Sequence, residues 1–102
     1  MIETIPLSAL ELGINHEEYC KLAQNISRMK LLSPEKRQRI LENAYRELPK
    51  EISSKACKLI KDLTYDREVY EIAEIPYHKG PPKDQNLFMT AVADYLLRKP
   101  FF

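Results

Sequence analysis

Ser33-Pro34-Glu35-Lys36-Arg37-Gln38-Arg39-Ile40-Leu41-Glu42-Asn43-Ala44-Tyr45-Arg46-Glu47-Leu48 is the stretch whose reading decides the fold. Serine is a helix-capping residue type, because its side-chain oxygen can accept an amide N–H that no helical carbonyl reaches. Pro34 follows at the first helical position, where a missing N–H costs nothing and φ is already helical. Ile40, Leu41, Ala44, Tyr45 and Leu48 then recur at helical spacing and make one apolar face. Pro49 sets the boundary, since the residue before a proline avoids the helical region.

The same grammar extends in both directions. Upstream, Asn15 caps a helix with Glu18 at capping-box spacing, and Ile14 and Tyr19 occupy the staple positions. Tyr19, Leu22, Ala23, Ile26 and Met29 keep the helical period. Ser8 to Leu12 forms a single turn closed by Gly13. Downstream, Ile52, Ala56, Leu59, Ile60 and Leu63 define another helix. Asp66 caps a short helix carrying Val69, Ile72 and Ala73, stopped by Pro76. The alternative for residues 67–75 is an edge strand, but a lone strand has nothing to pair with. Pro76 to Lys83 is a loop. Asp84 caps a last helix of about 14 residues that stops before Pro100. The expectation is an all-α chain, one helical domain over residues 1–102. It is a small bundle of four well-defined helices plus one or two short ones, packed antiparallel or orthogonally.

Composition agrees and excludes several function classes. A chain of 102 residues holds one hydrophobic core and has little room for a second domain. Only two glycines, Gly13 and Gly80, leave few tight β-turns. No run of apolar residues is long enough to span a bilayer. Residues Met1 to Pro6 lack the basic start and apolar stretch of a secretory signal. Cys20 and Cys57 lie in different helices without a zinc-ligand pattern, so reduced thiols and a cytoplasmic location are expected.

Catalytic signals are weak. His16 and Cys20 share a helix face near a positive helix end, which is one way to favour a thiolate. A helix face supplies no oxyanion site, however, and no third group accompanies the pair. Glu17 does not complete a metal site, and His78 lies on a distant loop. There is no glycine-rich phosphate loop, nucleophile elbow or HExxH. No enzyme activity, cofactor, metal or small-molecule substrate is expected.

Charge is sorted along the chain. Residues 1–20 carry −4, residues 21–61 carry +7, residues 62–75 carry −4 and residues 76–102 carry +2. Lys36, Arg39 and Arg46 form an outward stripe on the helix after Ser33. Glu35 and Glu42 stand four residues before Arg39 and Arg46, where ion pairs would half neutralise it. Lys50, Lys58 and Lys61 line the outer face of the next helix. These six residues are the candidates for a nucleic-acid surface. Base-specific readout has no support, since the turn of a helix-turn-helix and the aromatic strand of an RNA-binding sheet are missing.

The last helix carries the strongest interaction signal. Its apolar residues, from Leu87 to Leu97, cover an arc of roughly 280°, where a surface helix needs little more than about 100°. Encircling one helix is hard in so small a domain, so part of the arc is expected in the core and part at an interface. Phe88, Met89, Val92, Ala93, Leu96, Leu97, Phe101 and Phe102 are the candidate protein-interface residues. The function expected is a non-catalytic protein–protein interaction module: an adaptor, regulator or assembly factor. It docks through this helix on a partner protein or on itself as a homodimer. A nucleic-acid-binding regulator using the basic middle helices is the alternative.

Overall fold

The computed structural model describes residues 4–77 and 85–99. Among them are six helices and no strand, and about three quarters of the described residues are helical. They are α1 (Leu7–Leu10), α2 (His16–Met29), α3 (Pro34–Glu47), α4 (Lys50–Leu63), α5 (Arg67–Ala73) and α6 (Gln85–Arg98). None is long and apolar enough to cross a membrane.

The expected starts are closed by the expected side chains. Asn15 Oδ1 accepts the Glu18 N–H at 2.9 Å, and Glu18 Oε1 accepts the Asn15 N–H at 3.4 Å. Ser33 Oγ accepts the Lys36 N–H at 3.3 Å. Helix α4 starts directly after Pro49 with no side-chain cap. Asp66 Oδ1 accepts the Glu68 N–H at 3.1 Å, and the segment that follows is helix α5, not a strand. The cap expected of Asp84, and the loop beyond Tyr77, lie outside the described residues. Gly13 ends the first turn at φ 73°, a conformation that only glycine adopts without strain.

Helix α5 is held at both ends by residues distant in sequence. Tyr19, fully buried on α2, donates its hydroxyl to Asp66 Oδ2 at 2.8 Å. Lys30 Nζ donates to the carbonyls of Ala73 and Glu74, at 3.2 and 2.8 Å. A cation there meets carbonyls that the end of a helix leaves without partners.

Helix α6 is the axis of the molecule. It packs against α2, α3 and α4 together. Leu87, Phe88, Ala91, Val92 and Leu96 join Tyr19, Leu22 and Ile26 of α2, Leu59 and Leu63 of α4, and Val69 and Tyr70 of α5 in the main core. Ala93 turns to α3, where it packs with Leu41 and Ala44. Three long neighbours thus take up most of the wide apolar arc. The alanines at these contacts let backbones approach, which is how so few residues encircle one helix. Helix α2 runs antiparallel to α6, with buried Asn25 donating to the Ala91 carbonyl at 2.9 Å.

Candidate functional site

The residues expected at an interface are divided by the fold. Phe88, Val92, Ala93 and Leu96 are buried within the chain. Met89 and Leu97 are half-buried, and Phe101 and Phe102 lie outside the described residues. What α6 leaves open is therefore a strip near Met89.

That strip is the floor of a shallow apolar trough whose cavity is about 20 Å³. Helices α3 and α4 meet at the Leu48–Pro49 corner and hardly touch elsewhere; each leans on α6 instead. The wedge between them is walled by Leu41, Tyr45 and Leu48 on one side and by Ser53, Ala56, Cys57 and Ile60 on the other. Met89, Val92 and Ala93 lie beneath. Both walls are rows at three- and four-residue spacing, the side-chain rows that a helix presents along one face. Tyr45 stands at the lip, 53% exposed. It was expected in the apolar face of its helix, and it sits at that face's outer edge. Tyr45 and Ile60 were expected in the apolar faces of their helices and Cys57 as a reduced thiol, none of them at an interface. Their signal was present, since Tyr45 widens the apolar face of α3 beyond what one neighbour covers.

The six basic candidates, Lys36, Arg39, Arg46, Lys50, Lys58 and Lys61, are all exposed. The expected neutralising pairs, Glu35 with Arg39 and Glu42 with Arg46, do not form. The Glu42 carboxylate instead accepts from Gln38 Nε2 at 3.2 Å, one turn back on the same helix. Among the described residues the four-residue ion pairs that form are Glu17–Lys21, Glu51–Lys55 and Asp94–Arg98. None of the six cations is in an ion pair or side-chain hydrogen bond among the described residues. Arg37 of the same helix is buried, which its spacing did not suggest.

A larger, open cleft of about 720 Å³ runs between α2 and the end of α6, lined by Glu18, Lys21, Asn25, Arg28, Tyr95, Arg98 and Lys99 among others. Its one lining carboxylate, Glu18, and the neighbouring Asp94 are both committed internally. Glu18 accepts from Tyr95 at 3.0 Å and from Lys99 at 2.6 Å. Asp94 accepts from Arg98 at 2.7 Å and from Asn25 at 3.2 Å. The cleft is a polar seam joining two helices. The Lys99 hydrogen bond holds the Glu18 carboxyl below its ordinary value, against burial, with Tyr95 and the Asn15 N–H helping. Burial and then the Glu18 hydrogen bond push the Tyr95 phenol up to about 12.

This seam predicts a pH signature. A carboxyl whose folded value is depressed stabilises the fold above its unfolded value and loses that contribution as pH falls through the folded one. Glu18→Gln should therefore be less stable than the wild type at neutral pH. The gap should close as pH falls below 4.5, the ordinary carboxyl value. Urea unfolding across a pH series measures it, and a gap that persists unchanged into acid contradicts the assignment.

Among the described residues no cluster of three His, Cys, Asp or Glu is arranged to hold a metal ion. Cys20 is half-buried and Cys57 exposed, both as free thiols, and His16 is exposed. No protein-family model, curated protein or solved structure matches the chain.

Proposed function

We propose that this chain is a non-catalytic, cytoplasmic protein-interaction module that docks a partner through the apolar trough between α3 and α4. The observation that carries the reading is Tyr45: a half-exposed aromatic at the lip of an apolar seat whose floor belongs to the core helix. Aromatic anchors beside well-packed pockets dominate the energetics of protein interfaces. The free thiols of Cys20 and Cys57 accord with a reducing compartment. Self-association through the end of α6 now rests on Met89, Leu97, Phe101 and Phe102, since the other candidates are inside.

The nucleic-acid alternative keeps one specific support, the six exposed cations without ion-pair partners. Site-specific photo-cross-linking in the native cells separates the readings. A benzophenone side chain at position 45 should give a discrete protein adduct. The same probe at Leu31, 84% exposed on the α2–α3 connection, should give none. Adducts from position 45 that nuclease removes would replace this reading with the alternative, and equal adducts from both positions would refute a defined docking surface.

A further inference from the structure

We infer that the cleft between α2 and the end of α6 binds a small-molecule phosphate monoester. This site is separate from the trough: Tyr95 and Arg98 face α2, whereas Met89 and Ala93 face α3.

Size supplies the first argument. The cleft measures about 720 Å³. Small-molecule sites run from about 300 to about 1,000 Å³. An inorganic ion fills only a small part of such a space, so the phosphate has to carry an organic body. The half-buried ring of Tyr95 and the aliphatic stems of Lys21 and Arg28 give that body apolar surface.

Hydrogen-bonding capacity supplies the second. Both carboxylates at the cleft are already held by donors. Glu18 accepts from Tyr95, Lys99 and the Asn15 N–H, and Asp94 accepts from Arg98 and Asn25. An entering cation would have to break these contacts. Donors, by contrast, are in excess. Arg28 makes no ion pair or side-chain hydrogen bond among the described residues. Arg98 engages Asp94 and Asn25 through Nη2 alone, which leaves Nε and Nη1 for a ligand. The floor between the two arginines is rigid. Asn25 is 2% exposed, and its amide is tied to the Ala91 carbonyl and to Asp94. Arg28 follows Asn25 by three residues on the same face of α2. Guanidiniums from two helices thus flank one fixed amide, an arrangement suited to forked contacts with phosphate oxygens.

Charge names the ligand class. Four cations line the cleft, Lys21, Arg28, Arg98 and Lys99, against Glu18 and the neighbouring Asp94. The surplus matches a phosphate monoester, which carries about −1.5 to −2 at neutral pH. A single carboxylate would answer half of it. Glu17 holds Lys21 at 3.5 Å from the outer shoulder, where both side chains are more than half exposed, and such a pair yields readily to a ligand.

The test titrates the full chain with phenyl phosphate and follows the Nε–H resonances of Arg28 and Arg98 by NMR. Both should shift saturably. Affinity should rise from about pH 5 to about pH 7, because the second phosphate proton leaves near pH ~6. Phenyl sulfate, a monoanion throughout, should show no such rise and bind at least about tenfold more weakly at neutral pH. Inorganic phosphate, which lacks the organic body, should also bind at least about tenfold more weakly. Arg28 is exposed, so Arg28→Ala keeps the fold; it should cost at least about tenfold as the loss of a charge-assisted contact. Lys36→Ala, on α3, should change nothing. The inference falls if Arg28 and Arg98 show no saturable shift, or if Lys36→Ala costs as much as Arg28→Ala. Equal binding of phenyl sulfate would make the cleft a general anion sink, and equal binding of inorganic phosphate would leave an adventitious ion only. A phosphoserine peptide that binds about tenfold more tightly than phenyl phosphate would overturn the small-molecule assignment in favour of a phosphoprotein.

Discussion

Phe88→Ala should lower the stability of this protein by about 3–5 kcal/mol and leave its mass in solution unchanged. Phe88 is 1% exposed, and its ring lies 5.4 Å from that of Tyr70. It sits where α6 meets the main core. Truncation removes apolar area from burial and leaves a cavity that the surrounding helices cannot close. A domain of this size has about 5–15 kcal/mol in total, so the variant keeps a small margin. Phe88→Leu is the milder control should Phe88→Ala fail to fold. If Phe88 faced a partner copy, truncation would change the mass and spare much of the stability. Urea unfolding together with light scattering distinguishes the two outcomes.

Asp66→Ala should cost about 2–4 kcal/mol, far more than its half-exposed position suggests. One carboxylate does two jobs here. Oδ1 caps α5 through the Glu68 N–H, and Oδ2 accepts the hydroxyl of fully buried Tyr19. Losing a cap costs about 0.5–2 kcal/mol. Leaving a buried hydroxyl without its acceptor adds about 1–3 kcal/mol. Tyr19→Phe removes the hydroxyl along with the need for it and should cost only about 1 kcal/mol. In the Tyr19→Phe background, Asp66→Ala should therefore fall to the cost of the cap alone. A pair of effects that simply add would contradict the shared role.

The parts of the fold that were legible in sequence are those written locally. Asn15 with Glu18, Ser33 with Lys36, and Asp66 with Glu68 are contacts within three residues, each at a helix start that the sequence marks. The buried face of α2, from Tyr19 to Met29, was likewise legible, because it needs only the helical period. What stayed hidden depends on how many neighbours an element has. The apolar arc of α6 looked too wide for a small bundle. It is covered because α2, α3 and α4 converge on it, with small residues such as Ala91 and Ala93 at the contacts. Helix-end contacts such as Lys30 with the carbonyls of α5 carry no sequence signal, since they join residues 43 and 44 positions apart.

The candidate site follows the same division. Its cations were legible one by one, because outward positions follow from the helical repeat. Their lack of partners was not, because four-residue spacing permits an ion pair without requiring it, and Glu42 found Gln38. The trough itself is a relation between three helices. Met89, Val92 and Ala93 were named from sequence, but the walls that make them a floor come from the divergence of α3 and α4 after Leu48.

The claim on which the rest depends is that α6 is the core of a single chain and that the docking surface lies beside it. Amide hydrogen exchange of the full protein over a range of concentrations tests this most directly. Core helices exchange only through global unfolding, whereas an interface helix is protected only while its partner is bound. The account predicts that amides from Leu87 to Leu96 are the slowest in the chain, with rates that do not change on dilution. Protection of α6 that falls as the protein is diluted would contradict it.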